Sequence, residues 1–234
     1  MTLLYSETLY SLYLNYGKVV QLFYTIVFIW AIFNFSTFQG IWKWFLAYIS
    51  LSFITEVLVY FTPISEMENN HFVGHISFFI GVIMLGVFFY QAFDKPILKQ
   101  ITLVGTILLN FAVIIGFFYE DGYLLPSKMG SFIYIVFLAL HLILHRKLIA
   151  ESKTNRLREN PMFWWNTSFI IMNIVYIIFS LTIGSILPIS DDLSFIWYLI
   201  KNTSDLVLCV LWVMAIYKLR SWKFKPTASL SPSQ

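Results

Sequence analysis

Residues 72–93 read FVGHISFFIGVIMLGVFFYQAF, an apolar run without Asp, Glu, Lys or Arg. A helix of roughly 20 apolar residues crosses the ~30 Å hydrocarbon core of a bilayer and satisfies its backbone hydrogen bonds internally. Six further apolar runs flank this one. The chain is therefore predicted to be an all-α integral membrane bundle of seven transmembrane helices, near Val19–Phe35, Trp42–Phe61, Phe72–Phe93, Leu98–Tyr119, Met129–Leu148, Met162–Leu187 and Leu193–Tyr217.

The overall composition agrees with this prediction. Hydrophobic residues make up 59% of the chain and charged residues only 12%, whereas about 25% of the residues in soluble domains are charged. Prolines fall between the predicted spans, where the loss of a backbone donor does least damage. These prolines are Pro63, Pro96, Pro126, Pro161 and Pro188.

Charge divides the loops into two sets. Of the 15 Lys and Arg residues, all but Lys18, Lys128 and Lys201 lie on one predicted face of the membrane, and acidic residues collect on the other. The positive-inside rule therefore places the N-terminus outside and the C-terminus in the cytoplasm of a multi-pass inner (cytoplasmic) membrane protein. The basic residues indicate contact with the lipid bilayer, not with nucleic acid. They are Lys43, Lys95, Lys99, Arg146, Lys147, Lys153, Arg156, Arg158, Lys218, Arg220, Lys223 and Lys225.

The chain is predicted to have one domain. Residues 1–219 form a single seven-helix transmembrane domain, and residues 220–234 form a short basic, then disordered, cytoplasmic tail. No segment between the predicted spans is long enough to bury a core of its own. We therefore expect any signal to pass to a separate signalling protein.

Three ionisable side chains are predicted at membrane depth, where such groups are costly unless they are paired, hydrated or used. Glu56 lies in the outer third of the second span, Lys201 in the outer third of the seventh span and Asp205 near the middle of the seventh span. Lys201 and Asp205 are four residues apart and share a helix face, with Asn202 beside them. His75 lies one turn into the third span, at a similar depth. These five residues predict an outward-facing, ligand-binding polar pocket.

Two other interpretations of these residues stay open. The set suits an interior network of salt bridges and hydrogen bonds that locks helices two, three and seven together. A Lys in the seventh helix is also the plan of retinal proteins, in which the lysine amine bears the chromophore. That match is poor, because the third span has no interior acid to serve as counter-ion and the sixth span has no Trp in its middle.

Histidine spacing raises the question of a metal. The pairs His71/His75 and His141/His145 each place two imidazoles on one helix face, as a metal would require. The pairs are predicted at opposite membrane surfaces and cannot share an ion. We therefore predict interfacial histidines with no metal and no cofactor. The sequence also shows no nucleophile elbow, phosphate loop or catalytic carboxylate pair, so no catalytic residue is predicted.

Four segments carry a resemblance to a family of small, uncharacterised seven-span bacterial integral membrane proteins. They are LSFITEV at Leu51–Val57, VFFYQAF at Val87–Phe93, NPMFWWN at Asn160–Asn166 and the pattern of Trp197–Tyr217. The resemblance implies a seven-helix membrane protein in which Glu56 matches a recurring acid. An acid in the middle of the family's third span is replaced here by Gly81. The resemblance implies no particular reaction.

These features favour a small membrane receptor or sensor subunit that binds a ligand in the polar pocket and passes a signal to a separate partner. A membrane-embedded enzyme or transporter acting on a lipid or small molecule is one alternative. An odd number of spans with no visible repeat argues mildly against transport. A structural subunit of a membrane complex is the other alternative.

Overall fold

The computed structural model describes residues 2–61, 71–119, 127–151, 157–186 and 191–223, and this part of the chain is all-helical. Short 3₁₀ turns at Phe35–Thr37 and Leu157–Glu159 interrupt the connections. The seven α-helices of the described ranges are α1 (Thr2–Phe33), α2 (Trp42–Phe61), α3 (His71–Ala92), α4 (Pro96–Tyr119), α5 (Ser127–Glu151), α6 (Pro161–Ile186) and α7 (Asp191–Lys223).

Six of these helices are long and apolar enough to cross a membrane. The apolar segments lie at Asn15–Phe33, Phe72–Ala92, Pro96–Phe118, Gly130–Glu151, Pro161–Thr182 and Leu193–Ser221. The remaining helix, α2, has 20 residues and packs between α1 and α3. The chain is thus a multi-pass membrane protein built as a helical bundle.

The helices form a ring in chain order. Each packs against its sequence neighbours, and α7 closes the ring against α1. The closest packing joins α6 to both α5 and α7, whereas α4 packs on α3 and barely touches α5. Most of α4 is accordingly an apolar surface directed away from the bundle, with Leu108 62% and Phe118 77% exposed.

One end of the bundle is filled by aromatic rings, which we call the aromatic cluster. Its members are Phe45, Phe88, Phe89, Trp165, Phe169 and Trp212, each no more than 1% exposed. Phe45 lies between the two indoles, 6.1 Å from Trp165 and 5.9 Å from Trp212, edge-on to both. Such edge-to-face pairs add to the energy of simple burial. The cluster ties α2, α3, α6 and α7 together.

Local signals explain two helix starts. Pro96 and Pro161 occupy the first positions of α4 and α6, where the missing N–H has no intrahelical partner to lose. The Asn160 side chain accepts a hydrogen bond from the backbone N–H of Met162 at 2.9 Å, which caps α6. The Asn-Pro pair of NPMFWWN therefore sets the beginning of α6.

Lys147, on α5, caps the C-terminal end of α3. Its ammonium donates to the carbonyl of Ala92 at 2.9 Å and pairs with Asp94 at 2.6 Å. The Lys147 charge and hydrogen bond lower the pKa of Asp94 below its ordinary value. A cation at a helix C-terminus complements the helix dipole. This contact fixes α5 against the end of α3.

The close packing of α3 against α4 depends on Gly86. A Cβ atom at Gly86 would overlap the Thr106 side chain, so α3 and α4 approach closely at this point. Gly81 has only ordinary contacts, and Gly74 faces open space. Small residues thus serve two purposes on α3, close packing on α4 and the creation of room on another face.

Helix bounds differ from the predicted spans mainly at the two ends of the chain. The bounds of α2 are those predicted, and α3 to α6 differ by three residues or fewer at each end. By contrast, α1 already begins at Thr2 and α7 continues to Lys223. The tail beyond residue 223 and the acidic residues Glu66, Glu68, Glu120 and Asp121 lie outside the described residues.

Candidate functional site

A cavity of about 290 Å³ lies in the half of the bundle opposite the aromatic cluster. Six helices, all except α4, contribute to its wall. The wall combines apolar side chains with four tyrosines, two charged residues and several uncharged polar groups. Its polar residues are Tyr24, Tyr48, Ser52, Thr55, Glu56, Ser77, Tyr134, Asn173, Tyr176 and Lys201. A concave, mostly apolar space with a few polar groups has the character of a small-molecule site.

Lys201 enters the cavity from α7 as part of a three-residue network. Its ammonium lies 2.9 Å from one carboxylate oxygen of Asp205, one turn later on the same helix. The Tyr176 hydroxyl on α6 donates to the other carboxylate oxygen at 2.8 Å. Asp205 is 1% exposed and does not line the cavity. The buried carboxylate is therefore satisfied from both sides, and it holds Lys201 in place from behind.

Glu56 enters the cavity from α2 and has a different environment. Its side chain is partly buried, and the carboxylate forms no hydrogen bond or ion pair with any residue in the described ranges. Ser52 and Tyr48, one and two turns earlier on the same face, also line the cavity. This polar face of α2 therefore points to the interior of the bundle, and its acid is unpaired within the described residues.

Asn173 on α6 is a second polar group without a partner. The side chain is 1% exposed, lines the cavity, and its amide nitrogen has no hydrogen-bond partner among the described residues. A buried donor left unsatisfied costs about 1–3 kcal/mol. Eight buried side-chain atoms lack a partner in the described residues, and Asn173 is the one among them that lines the cavity, where a ligand or water could supply the partner.

The structure separates the five predicted pocket residues. Glu56 and Lys201 line the same cavity, and Asp205 lies directly behind Lys201. Asn202 is buried but does not line the cavity, and its amide nitrogen has no partner in the described part of the chain. His75 is also buried outside the cavity wall, with its ring edge-on to Phe117 of α4 at 5.3 Å. The histidine thus packs against another helix instead of lining the cavity.

The second histidine pair has a structural role that spacing alone did not indicate. His141 is fully buried, and its Nδ1 lies 2.8 Å from the Asn166 side-chain oxygen. The Asn166 amide nitrogen donates to the His141 carbonyl at 3.0 Å and lies 3.3 Å from Nδ1 of His145. Asn166 therefore joins α6 to α5, as expected of a polar residue on an interhelical face.

Metal-binding groups are not brought together in the described residues. No group of three His, Cys, Asp or Glu side chains lies close enough there to hold an ion. His71 lies at the start of α3, and nothing is described of its side chain. Phe89 and Phe169 enclose the His141 ring within the bundle, and the depth of this histidine in the membrane stays a prediction.

No protein-family model, no curated protein and no solved structure matches this chain. The sequence and the cavity are therefore the basis for any functional argument. Several polar contributors to the cavity were not singled out from sequence, among them Tyr24, Tyr134, Tyr176 and, as a site residue, Asn173. The available signal was their position within the spans, since membrane tyrosines ordinarily concentrate at the two interfaces.

Proposed function

We propose that the protein is a seven-span membrane receptor or sensor subunit, oriented with its N-terminus outside, that binds a small ligand in the cavity. The carrying observation is that the Glu56 carboxylate and the Asn173 amide both line this cavity without a partner in the described residues. Polar groups at membrane depth are costly unless they are satisfied or used. A ligand that supplies the missing partners removes that cost when it binds.

The location of the cavity supports a sensing role. It lies at the end of the bundle that the charge pattern assigns to the outside, and the aromatic cluster lies between it and the basic end. Tyr48 belongs to both regions, since it lines the cavity and contacts Phe169 and Trp212 edge-on. A ligand that moves Tyr48 would therefore act on the packing of α6 and α7. This is the route by which we propose that binding reaches a separate partner.

The orientation is tested by labelling single cysteines in intact cells. In a Cys209→Ala background, cysteines at Glu68, Asp121 and Asp192 are expected to react with an impermeant thiol reagent. Cysteines at Lys153 and Lys223 are expected to react only after the cells are opened. The reverse pattern would overturn the proposed orientation.

Ligand binding is tested by closing the cavity. Gly74 lines it and has open space where a side chain would lie, so Gly74→Phe is expected to fill the cavity without a backbone clash. Gly105→Phe is the matched control, since Gly105 also has open space but lies on α4. A mixed library of amines, carboxylates, amino acids and short lipids is screened by thermal shift. Binders that respond to Gly74→Phe but not to Gly105→Phe support the proposal, and the absence of any such binder contradicts it.

A structural subunit is the second candidate, because the Lys201–Asp205–Tyr176 network joins α6 to α7 as a purely structural contact would. A retinal protein is not favoured, since the third span has no interior acid and the sixth span has no Trp in its middle. Purified protein mixed with all-trans-retinal is expected to develop no visible absorption band. A band abolished by Lys201→Ala would replace the receptor proposal.

A further inference from the structure

Two side chains of opposite charge, Glu56 and Lys201, line the cavity from different helices. Glu56 comes from α2, which packs against α1 and α3, whereas Lys201 comes from α7, which packs against α6 and α1. The two side chains are not paired with each other, because the Lys201 ammonium forms its ion pair with Asp205 and lies over the Tyr176 ring, 5.3 Å from the ring centre. Opposite charges that face one space without meeting are complementary to a ligand that carries both charges.

The donor count on the Lys201 wall supports an anionic group there. A lysine ammonium has three N–H donors, and within the described residues Lys201 gives one to Asp205. Asn173 adds an unsatisfied amide donor from the neighbouring helix α6. A carboxylate accepts several hydrogen bonds at once. These donors together suit a carboxylate, whereas Glu56 on the other wall suits an ammonium group.

The volume of the cavity and the apolar part of its wall limit the size and polarity of the ligand. A volume of about 290 Å³ lies at the lower end of the range for small-molecule sites, roughly 300–1,000 Å³. Between the charged groups the wall is apolar or aromatic, with Phe78, Phe137, Met172 and Leu85 among its members. A bilayer lipid with two long chains does not fit this space, whereas a compact molecule with one apolar group does.

We infer that the cavity binds a small zwitterion of the amino-acid type, with its ammonium group at Glu56, its carboxylate at Lys201 and Asn173, and an apolar side chain between them. This inference rests on the proposed ligand-binding function and names the class of ligand. A simple amine would leave the Lys201 and Asn173 donors without an acceptor. A simple carboxylate would leave Glu56 without a donor.

The test compares four probes on the full-length protein in lipid nanodiscs by calorimetry. L-phenylalanine and L-leucine carry both charges, phenethylamine carries only the ammonium group, and 3-phenylpropionate carries only the carboxylate. We expect at least one of the two amino acids to bind at least tenfold more tightly than phenethylamine and 3-phenylpropionate. Equal binding of phenethylamine and L-phenylalanine would overturn the inference in favour of a cation site.

Two variants assign the two ends of the ligand, and a third is the control. Glu56→Gln is expected to weaken binding of the amino acid at least tenfold and to leave 3-phenylpropionate unchanged. Asn173→Leu is expected to weaken the amino acid and 3-phenylpropionate but not phenethylamine. Glu151→Gln, at the far end of α5, is the matched control and should change nothing. Equal losses for all four probes in Glu56→Gln would contradict the assignment.

The outcomes separate this inference from the broader proposal. If none of the four probes binds but a library compound shows binding that Gly74→Phe removes, the zwitterion class is wrong and the receptor proposal stands. If no compound binds in a way that depends on Gly74, both are wrong.

Discussion

The two halves of the bundle differ in how their interiors are packed and in what their buried polar groups face. In the aromatic half, Phe45, Trp165 and Trp212 pack against one another, and each is fully buried. The Trp212 indole donates a hydrogen bond to Ser168 at 3.1 Å, whereas the Trp165 indole N–H is buried without a partner in the described residues. In the cavity half, Glu56 and Asn173 face about 290 Å³ of open space without partners in the described residues. On the proposed function, the packed aromatic half supplies stability and the cavity half supplies the site.

The largest expected effect lies in the aromatic half. Phe45→Ala removes the ring between the two indoles and is expected to lower the free energy of unfolding by about 3–5 kcal/mol. Phe111→Ala is the matched control, since Phe111 is 59% exposed on α4, and it should change stability by about 0.5 kcal/mol or less. Denaturant titration in detergent measures both. Equal effects of the two variants would show that the cluster does not dominate stability.

The next effect concerns the charged network beneath the cavity. Lys201→Met leaves the buried Asp205 carboxylate without its cation and is expected to cost about 1–3 kcal/mol. Adding Asp205→Asn should restore part of this loss, because the uncompensated charge is removed. Adding Glu56→Gln should restore less, since Glu56 is not within ion-pair distance of Lys201. Thermal unfolding in detergent measures all three variants, and strictly additive losses with Asp205→Asn would refute the pairing.

A smaller loss is expected at the contact between α5 and α6. Asn166→Leu removes the hydrogen bonds to His141 and is expected to lower the unfolding free energy by about 1–2 kcal/mol. Asn110→Leu is the control, because the Asn110 amide bonds only within its own helix α4 in the described structure, to the carbonyl of Thr106. The control should lose less. A larger loss in Asn110→Leu, measured in the same detergent, would contradict the role given to Asn166.

The smallest effect is a pH dependence at the exposed end of α3. Because Lys147 lowers the pKa of Asp94, the folded state binds that proton less readily than the unfolded state does. The stabilisation is therefore fully present above the unfolded pKa of about 3.8 and is lost as the pH falls through the lower folded value. The thermal midpoint of Asp94→Asn should lie slightly below that of the native protein at pH 7 and meet it in acid. A difference between the two thermal midpoints that grows as the pH falls would contradict the predicted direction of the pH dependence.

The fold could be predicted because the bilayer leaves few choices. Backbone groups without water must pair within each helix, so the length of an apolar run fixes the helix almost by itself. The bounds of α3, each within one residue of the predicted span, illustrate this. The extensions of α1 to Thr2 and α7 to Lys223 could not be predicted from apolar runs, since a helix already formed continues into polar sequence at little cost.

The site could be predicted only in part, because a sequence gives the depth of a residue but not the helix that it faces. Glu56 and Lys201 stood out through the cost of a charge in the membrane. His75 has a similar depth but packs on Phe117. Asn173 and Tyr176 carry no charge and gave no comparable signal, although one is an unsatisfied donor and the other binds Asp205.

The most direct test of this contrast compares two serines changed to cysteine in a Cys209→Ala background. Ser52 lines the cavity, whereas Ser168 is 1% exposed in the aromatic half. In intact cells, a small impermeant thiol reagent is expected to label Ser52→Cys at least tenfold faster than Ser168→Cys, and Gly74→Phe should slow the labelling of Ser52→Cys. Equal rates at the two positions, or labelling of Ser52→Cys only from the cytoplasmic side of inverted vesicles, would contradict an outward-opening cavity above a packed aromatic base.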